Sequence, residues 1–223
     1  MLILTECNLA SIVSEILNGQ TVVFPTETSY GLGCDATNQQ AVDKLFKIKG
    51  RPSDKPLLVV VPSVEMAKQS LVWNDALEKI SKQYWPSSAK ASTFANASVD
   101  KSEGKPGALT VVGSYKLPAT SYQLATGVVS QDNTLAIRVT AHPLLKSITE
   151  MMGRPLVATS ANVADAGEIY NSADIVSQFK NRDIQPDIVL NYGELPKRPP
   201  STIVSVVRNE LKIIRQGEIV IEN

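Results

Sequence analysis

Apolar residues in this chain recur with two different spacings, and the alternation between the two predicts an α/β fold. Leu9, Ile12, Val13, Ile16 and Leu17 keep the spacing of one helix face, with Asn8 placed to cap its start and Gly19 to stop it. Asn38 opens a second such pattern, whose stripe of Ala41, Val42, Leu45 and Phe46 runs out at Gly50-Arg51-Pro52. Further helices are predicted over residues 64–70, 75–84, 143–152 and 173–179. Residues 57–61 form a continuous aliphatic run, as expected of a strand covered on both faces. Strands also fit residues 21–24, 108–112, 134–139, 155–158, 187–191, 202–207 and 211–214, the last two forming an antiparallel hairpin around Asn209. The expected fold class is α/β: one domain over residues 1–223, with a twisted, mixed parallel and antiparallel sheet flanked by helices. One stretch lacks any period. Residues 87–105 are rich in Ser, Ala and Lys and read as a flexible surface insertion.

Composition narrows the function classes. Of 223 residues, 43% are hydrophobic and 20% charged, ordinary for a globular protein with a substantial core. Lys and Arg together number 22, as do Asp and Glu, so the net charge is zero. That balance argues against a protein whose main task is to grip a phosphate backbone. Cys7 and Cys34 lack metal-ligand spacing and read as reduced thiols of a cytoplasmic protein. No basic stretch precedes an apolar core at the N-terminus, and the run 57–61 is too short to span a bilayer, so no membrane contact is expected. His142 is the single histidine, which makes a multi-histidine metal site impossible and a histidine triad unsuitable. His142-Pro143 reads as a helix start, with a structural histidine.

Three polar segments carry candidate chemistry. They are Pro25-Thr26-Glu27-Thr28-Ser29-Tyr30-Gly31-Leu32-Gly33-Cys34-Asp35, Lys49-Gly50-Arg51-Pro52 and Thr159-Ser160-Ala161-Asn162. The first and third follow β-type runs, where an open α/β sheet offers amides and short side chains to a ligand. Lys49 and Arg51 stand two apart in an irregular segment, and a guanidinium fork with an ammonium suits polyphosphate oxygens. A solvated cluster with Lys44, Lys47 and Lys55 accounts for the same residues equally well. The segment 159–162 places two hydroxyls and an amide at a strand end, where a capping turn is the plain alternative. Gly31 and Gly33 match neither a dinucleotide fingerprint nor a Walker loop.

Taken together, these segments resemble the YrdC-like family, the threonylcarbamoyl-AMP synthases of tRNA modification. The resemblance continues through Lys55-Pro56-Leu57, Leu135-Ala136-Ile137-Arg138-Val139 with His142-Pro143, Pro200-Ser201-Thr202-Ile203-Val204 and Arg215-Gln216-Gly217, in order over nearly the whole chain. Its length matches the short bacterial form. The family's Trp-Pro-Gly-Pro-Leu-Thr segment is interrupted here between Trp85-Pro86 and Pro106-Gly107-Ala108-Leu109-Thr110. Ser205 replaces an acidic residue, and Val60 stands where some long-form members have a histidine near the amino acid.

The resemblance implies synthesis of threonylcarbamoyl-AMP and pyrophosphate from L-threonine, bicarbonate or CO2, and ATP with Mg²⁺. By that resemblance Lys49 and Arg51 are the catalytic pair. The ATP-binding set is Lys49, Arg51, Lys55, Thr110, Ser160, Asn162 and Arg215, and Thr28, Arg138 and Ser201 bind threonine. No protein-held metal is implied. Implied partners are tRNA, by possible contact, and downstream threonylcarbamoyl transferase proteins. Two other readings use the same residues: an RNA-binding module, and a related enzyme forming a carbamoyl-adenylate from another donor.

Overall fold

Helices begin where short polar side chains take up otherwise unpaired amides. In a computed structural model, which describes residues 1–5, 8–52, 55–86, 109–119, 122–164 and 166–221, strand β1 (Leu2–Leu4) precedes helix α1 (Leu9–Leu17). The Asn8 side chain accepts from the amides of Ala10 at 2.9 Å and Ser11 at 3.3 Å. A hairpin of β2 (Val22–Pro25) and β3 (Tyr30–Gly33) leads to α2 (Gln39–Lys49). Asn38 caps α2 through the Ala41 amide at 3.1 Å, and Gly50 ends it in the left-handed region at φ 61°. Next come β4 (Leu58–Val61), α3 (Val64–Ser70) and α4 (Asp75–Tyr84). The expected insertion at 87–105 lies outside the described residues. β5 (Leu109–Ser114), β6 (Thr134–Val139) and α5 (Pro143–Met152) follow, then two very short strands, β7 (Leu156–Val157) and β8 (Thr159–Ser160). The chain continues through α6 (Ser172–Phe179), β9 (Ile188–Leu190), β10 (Thr202–Val207) and β11 (Glu210–Arg215).

The α/β class and the mixed strand directions are as expected, but the strands form two sheets. One has the order β1-β9-β2-β3-β8 and the other β11-β10-β5-β6-β4-β7. Parallel and antiparallel pairs occur in both: β2 runs parallel to β9 and antiparallel to β3, while β4 runs parallel to β6 and antiparallel to β7. The predicted strand at 155–158 is where the sheets meet. Val157 pairs with Val59 in one sheet and, three residues later, Ser160 pairs with Gly31 in the other. Gly33 allows this crossing, because a Cβ there would fall 2.0 Å from the Val157 carbonyl oxygen. The predicted hairpin around Asn209 is present, with Arg208 at φ 53° and Asn209 at φ 65° as its two turn residues.

Two apolar cores hold the sheets and helices together. Ile12, Val13 and Ile16 of α1 pack with Leu144, Leu145 and Ile148 of α5 against Val22 and Phe24 of β2. Leu45 and Ile48 of α2 and Phe179 of α6 join a larger core with Val111 of β5 and Ile137 of β6. Each fully buried side chain of this size contributes about 1.5–3 kcal/mol relative to exposure. Anchorage of that size fixes α5, and with it the N-terminal end that enters the site described below. Among the described residues no helix is long and apolar enough to cross a membrane.

Candidate active site

A cavity of about 350 Å³ draws together segments that are far apart in sequence, β4 with Val60 among them. Others are the turn between β2 and β3, the stretch after α2, strands β5 and β6, strand β8, and the ends of β10 and β11. A larger depression of about 580 Å³ lies near β1, walled by Leu2, Leu4, Ile12 and Ile188 with Glu15 and Asp187. Among the described residues, that depression is lined by no Lys or Arg side chain, whereas the smaller cavity is lined by Arg51, Arg138 and Arg215. Chemistry on an anionic substrate therefore belongs to the smaller one.

The β2–β3 turn is tied by its own hydroxyl. Thr26 Oγ1 donates to the Ser29 carbonyl at 2.7 Å and accepts from the Thr28 amide at 3.1 Å. Between these two threonines stands Glu27, whose side chain points inward and is nearly buried. Its Oε1 accepts from the Thr140 hydroxyl, from the Ala141 amide at 2.8 Å and from the His142 amide at 3.1 Å. Its Oε2 lies 3.6 Å from Arg138 Nη1. Burial pushes the Glu27 pKa up, but Arg138, His142, the Thr140 hydroxyl and a backbone bond together hold it below its ordinary value. His142 starts α5 without a capping bond of its own; burial lowers its pKa against the pull of Glu27.

Arg138 crosses from β6 to two hydroxyls. Nε donates to Thr110 Oγ1 at 3.3 Å and Nη2 to Ser201 Oγ at 2.9 Å. Arg215 Nη2 also donates to Ser201 Oγ, at 3.1 Å, and to the Ser201 carbonyl at 2.8 Å. Two guanidinium donors occupy the lone pairs of Ser201 Oγ, so its proton goes to Thr110 Oγ1, 3.1 Å away. Burial lowers the Arg138 pKa and Glu27 opposes it; a guanidinium keeps its charge regardless. Gly217 brings the end of β11 close enough for Arg215 to join: a Cβ there would lie 2.1 Å from the Pro200 carbonyl oxygen.

Lys49 and Arg51 do not face the same way. The Lys49 ammonium is buried and donates to the Ser160 carbonyl at 2.6 Å, the Asn162 carbonyl at 2.7 Å and Asn162 Oδ1 at 3.1 Å. Those are its three protons, so Lys49 holds the 159–162 loop and does not line the cavity. Burial, and then the Arg51 charge, bring its pKa down to about 8. Asn162 is likewise internal to the loop: Oδ1 accepts from Ser160 Oγ at 2.5 Å, and Nδ2 donates to the Ala166 carbonyl. Arg51, turned the other way by left-handed Gly50, lines the cavity, where its Nη2 donates to the Pro56 carbonyl at 3.1 Å.

The sequence-predicted residues thus divide in two. Arg51, Thr110, Ser160, Arg215, Thr28, Arg138 and Ser201 line one cavity. Lys49 and Asn162 stand behind its wall, and Lys55 is exposed just before Pro56, which lines it. Val60 also lines the cavity. Sequence reasoning passed over Glu27, although it lies inside the first motif, and Glu168, a second lining carboxylate that accepts from the Tyr170 hydroxyl at 2.9 Å. A carboxylate between two threonines in a polar turn was a readable signal for Glu27; Glu168 had none. Among the described residues no three His, Cys, Asp or Glu side chains converge to hold a metal ion.

The Sua5/YciO/YrdC family model, whose description reads Telomere recombination, matches residues 14–217. The chain belongs to the Sua5/YciO/YrdC family. One relative, the threonylcarbamoyl-AMP synthase of Pseudoalteromonas translucida (strain TAC 125), is 31% identical over 174 residues, 78% of this chain and 81% of its own. Another of that name, from Vibrio vulnificus (strain YJ016), is 29% identical and covers 94% of this chain and 98% of its own. Among solved structures of the family's fold, P. abyssi Sua5 complexed with L-threonine superposes with a TM-score of 0.75 at 24% identity. That alignment takes in 97% of this chain, which spans just over half, 57%, of the Sua5 chain.

Proposed function

We propose that this member of the family is an L-threonylcarbamoyladenylate synthase, a nucleotidyltransferase serving the threonylcarbamoyl modification of tRNA. The observation that carries the reading is the convergence of Arg51, Arg138 and Arg215 with the hydroxyls of Thr28, Thr110, Ser160 and Ser201 around one cavity. Relatives named threonylcarbamoyl-AMP synthase support it.

On this reading the threonine amine takes up CO2, supplied as bicarbonate, forming an N–C bond and releasing a proton. A carbamate oxygen then attacks the α-phosphorus of ATP, the bond from that phosphorus to the bridging oxygen breaks, and pyrophosphate leaves. The steps need no strong general base on the protein. They need charge neutralisation, alignment and exclusion of water. Arg51 and Arg215 are assigned to the phosphates, with Lys55 at the entrance, and Thr110 and Ser160 to the nucleotide. Arg138 is assigned to the threonine carboxylate, which a guanidinium fork fits, with Thr28 and Ser201 beside it. Lys49 and Asn162 act by shaping the loop that carries Ser160. Mg²⁺ is assigned to the nucleotide substrate, because Glu27 is committed to amides and Arg138 and Glu168 is the other carboxylate described as lining the cavity. Cytoplasmic tRNA and the proteins that transfer the threonylcarbamoyl group complete the proposal.

The test is to supply ATP, L-threonine and bicarbonate and to measure pyrophosphate and a threonine-dependent adenylate. Arg51→Ala should lower turnover at least about tenfold, since losing a charged partner from a desolvated contact costs about 2–5 kcal/mol. Pyrophosphate release that does not depend on threonine would overturn the assignment.

A further inference from the structure

Arg138 is buried, faces the cavity with Arg51 and Arg215, and is paired at 3.6 Å with Glu27, whose pull on it exceeds that of Glu168. Glu27 in turn is fixed from the far side. Its Oε1 receives the Thr140 hydroxyl and the amides of Ala141 and His142, at the end of α5 where His142 provides no cap. We propose that Glu27 is a positioning residue for the amino-acid substrate: it holds the Arg138 guanidinium at a fixed place in the cavity and anchors it to the N-terminal end of α5.

The geometry separates this role from ordinary capping. A cap needs only an oxygen facing the amides, which Oε1 supplies. Glu27 also directs Oε2 to the guanidinium, and no hydrogen bond is made to that oxygen. It acts on Arg138 as a charge, drawing Nη1 back while Nε and Nη2 are held by Thr110 and Ser201. Two guanidinium nitrogens are thereby held by hydrogen bonds and the third by charge, leaving one orientation for meeting an incoming carboxylate. A charge placed this way also prevents Arg138 from swinging toward the triphosphate, so the two anionic substrates are kept on different arginines. Thr28, next in sequence, is carried by the same turn and lines the cavity, so Glu27 places a hydroxyl and a cation together.

This inference rests on the assignment of Arg138 to the threonine carboxylate, and the experiment distinguishes the two. Steady-state pyrophosphate release is measured against threonine and against ATP for wild type, Glu27→Gln, Arg138→Lys and the double variant. Glutamine keeps the oxygen that faces the amides and removes the charge. The expected result is a KM for threonine raised at least tenfold in Glu27→Gln with the KM for ATP within twofold. In the Arg138→Lys background the same change should add less than twofold, because the fork it positions is gone. If Arg138→Lys leaves the threonine KM unchanged, the assignment of Arg138 falls and the inference with it. If Arg138→Lys raises it and Glu27→Gln does not, the inference alone is overturned. A purely structural role is revealed by both KM values moving together, or by loss of active enzyme with both unchanged; either overturns the proposal. Should Glu27→Gln fail to fold, Thr140→Val decides. It removes the hydroxyl that Glu27 Oε1 and the His142 amide share, and Thr140 itself does not line the cavity. A threefold or greater rise in threonine KM at constant ATP KM supports the proposal, and no rise overturns it.

Discussion

The ammonium of Lys49 donates twice to Asn162, once to its carbonyl and once to its side chain, joining the end of α2 to the loop that carries Ser160. Lys49→Met keeps the length of the side chain and removes all three donors. Buried acceptors left unpaired cost about 1–3 kcal/mol each, partly offset because the methionine carries no charge to bury. Net destabilisation of about 2 kcal/mol by urea unfolding is expected, together with a raised KM for ATP. Coupling to Asn162→Ala in a double-mutant cycle should be evident. Unchanged stability and unchanged ATP kinetics would show that the bonds do not matter.

Ser201 receives both Arg138 and Arg215 on one oxygen. Ser201→Ala takes away that shared acceptor and leaves the carbonyl bonds of Arg215 in place. A hydrogen bond to a charged group is worth about 1.5–3 kcal/mol, so kcat/KM for threonine should fall about tenfold or more with the fold retained. Kinetics within twofold of wild type in a folded variant would remove Ser201 from the site.

Glu27 should give the protein an acid-sensitive component. Its folded pKa lies below the ordinary 4.5, so just under 4.5 the unfolded chain binds more protons than the folded one. The stabilisation is therefore complete above about 4.5 and is lost as pH falls through the depressed folded value. Urea unfolding at several pH values between 3 and 6 should show a steeper rise of stability with pH in wild type than in Glu27→Gln. Parallel slopes would contradict the burial and pairing described for this carboxylate.

Helix ends were readable because capping is local: Asn8, Asn38 and Gly50 act within a turn of their own position. Strand β3 was not, because Gly31 and Gly33 depress the very signal by which strands are recognised, and their reason for being there is contact with Phe24 and Val157. The division into two sheets depends on a crossing at 155–160 that no period announces. Most lining residues of the cavity were legible as motifs. The opposed directions of Lys49 and Arg51 were not, since spacing says nothing of the reversal that left-handed Gly50 introduces. Glu27 shows the same limit: its hydrogen-bond partners lie 113 to 115 positions away.

Gly217 is a position where the backbone, not a side chain, would have to yield. A methyl group would meet the Pro200 carbonyl oxygen at 2.1 Å, the Ser201 carbonyl carbon at 2.5 Å and the Thr202 amide nitrogen at 2.6 Å. Gly217→Ala should destabilise the protein by about 1–3 kcal/mol through forced backbone shifts. It should also weaken ATP binding, because Arg215 is held to Ser201 across this approach. Thermal unfolding and the ATP KM report the two effects separately, and an alanine variant with wild-type melting would show that the contact relaxes at no cost.

The hydroxyls of Thr110 and Ser201 contact Arg138, and Thr28, Val60 and Ala136 line the same cavity. Under the proposed function, the threonine hydroxyl meets polar partners and its methyl group meets the apolar wall. Valine has nearly the same shape but leaves those partners unpaired, a mismatch that polar sites reject by factors on the order of 10⁴. Serine keeps the hydroxyl and lacks only the methyl, which costs about 1–3 kcal/mol, roughly tenfold to two-hundredfold in kcat/KM. Adenylate formation with each amino acid, at equal ATP and bicarbonate, should therefore rank threonine over serine and serine far over valine. Serine and valine used equally well would mean that the hydroxyls do not contact the side chain, and would point to a carbamoyl donor other than threonine.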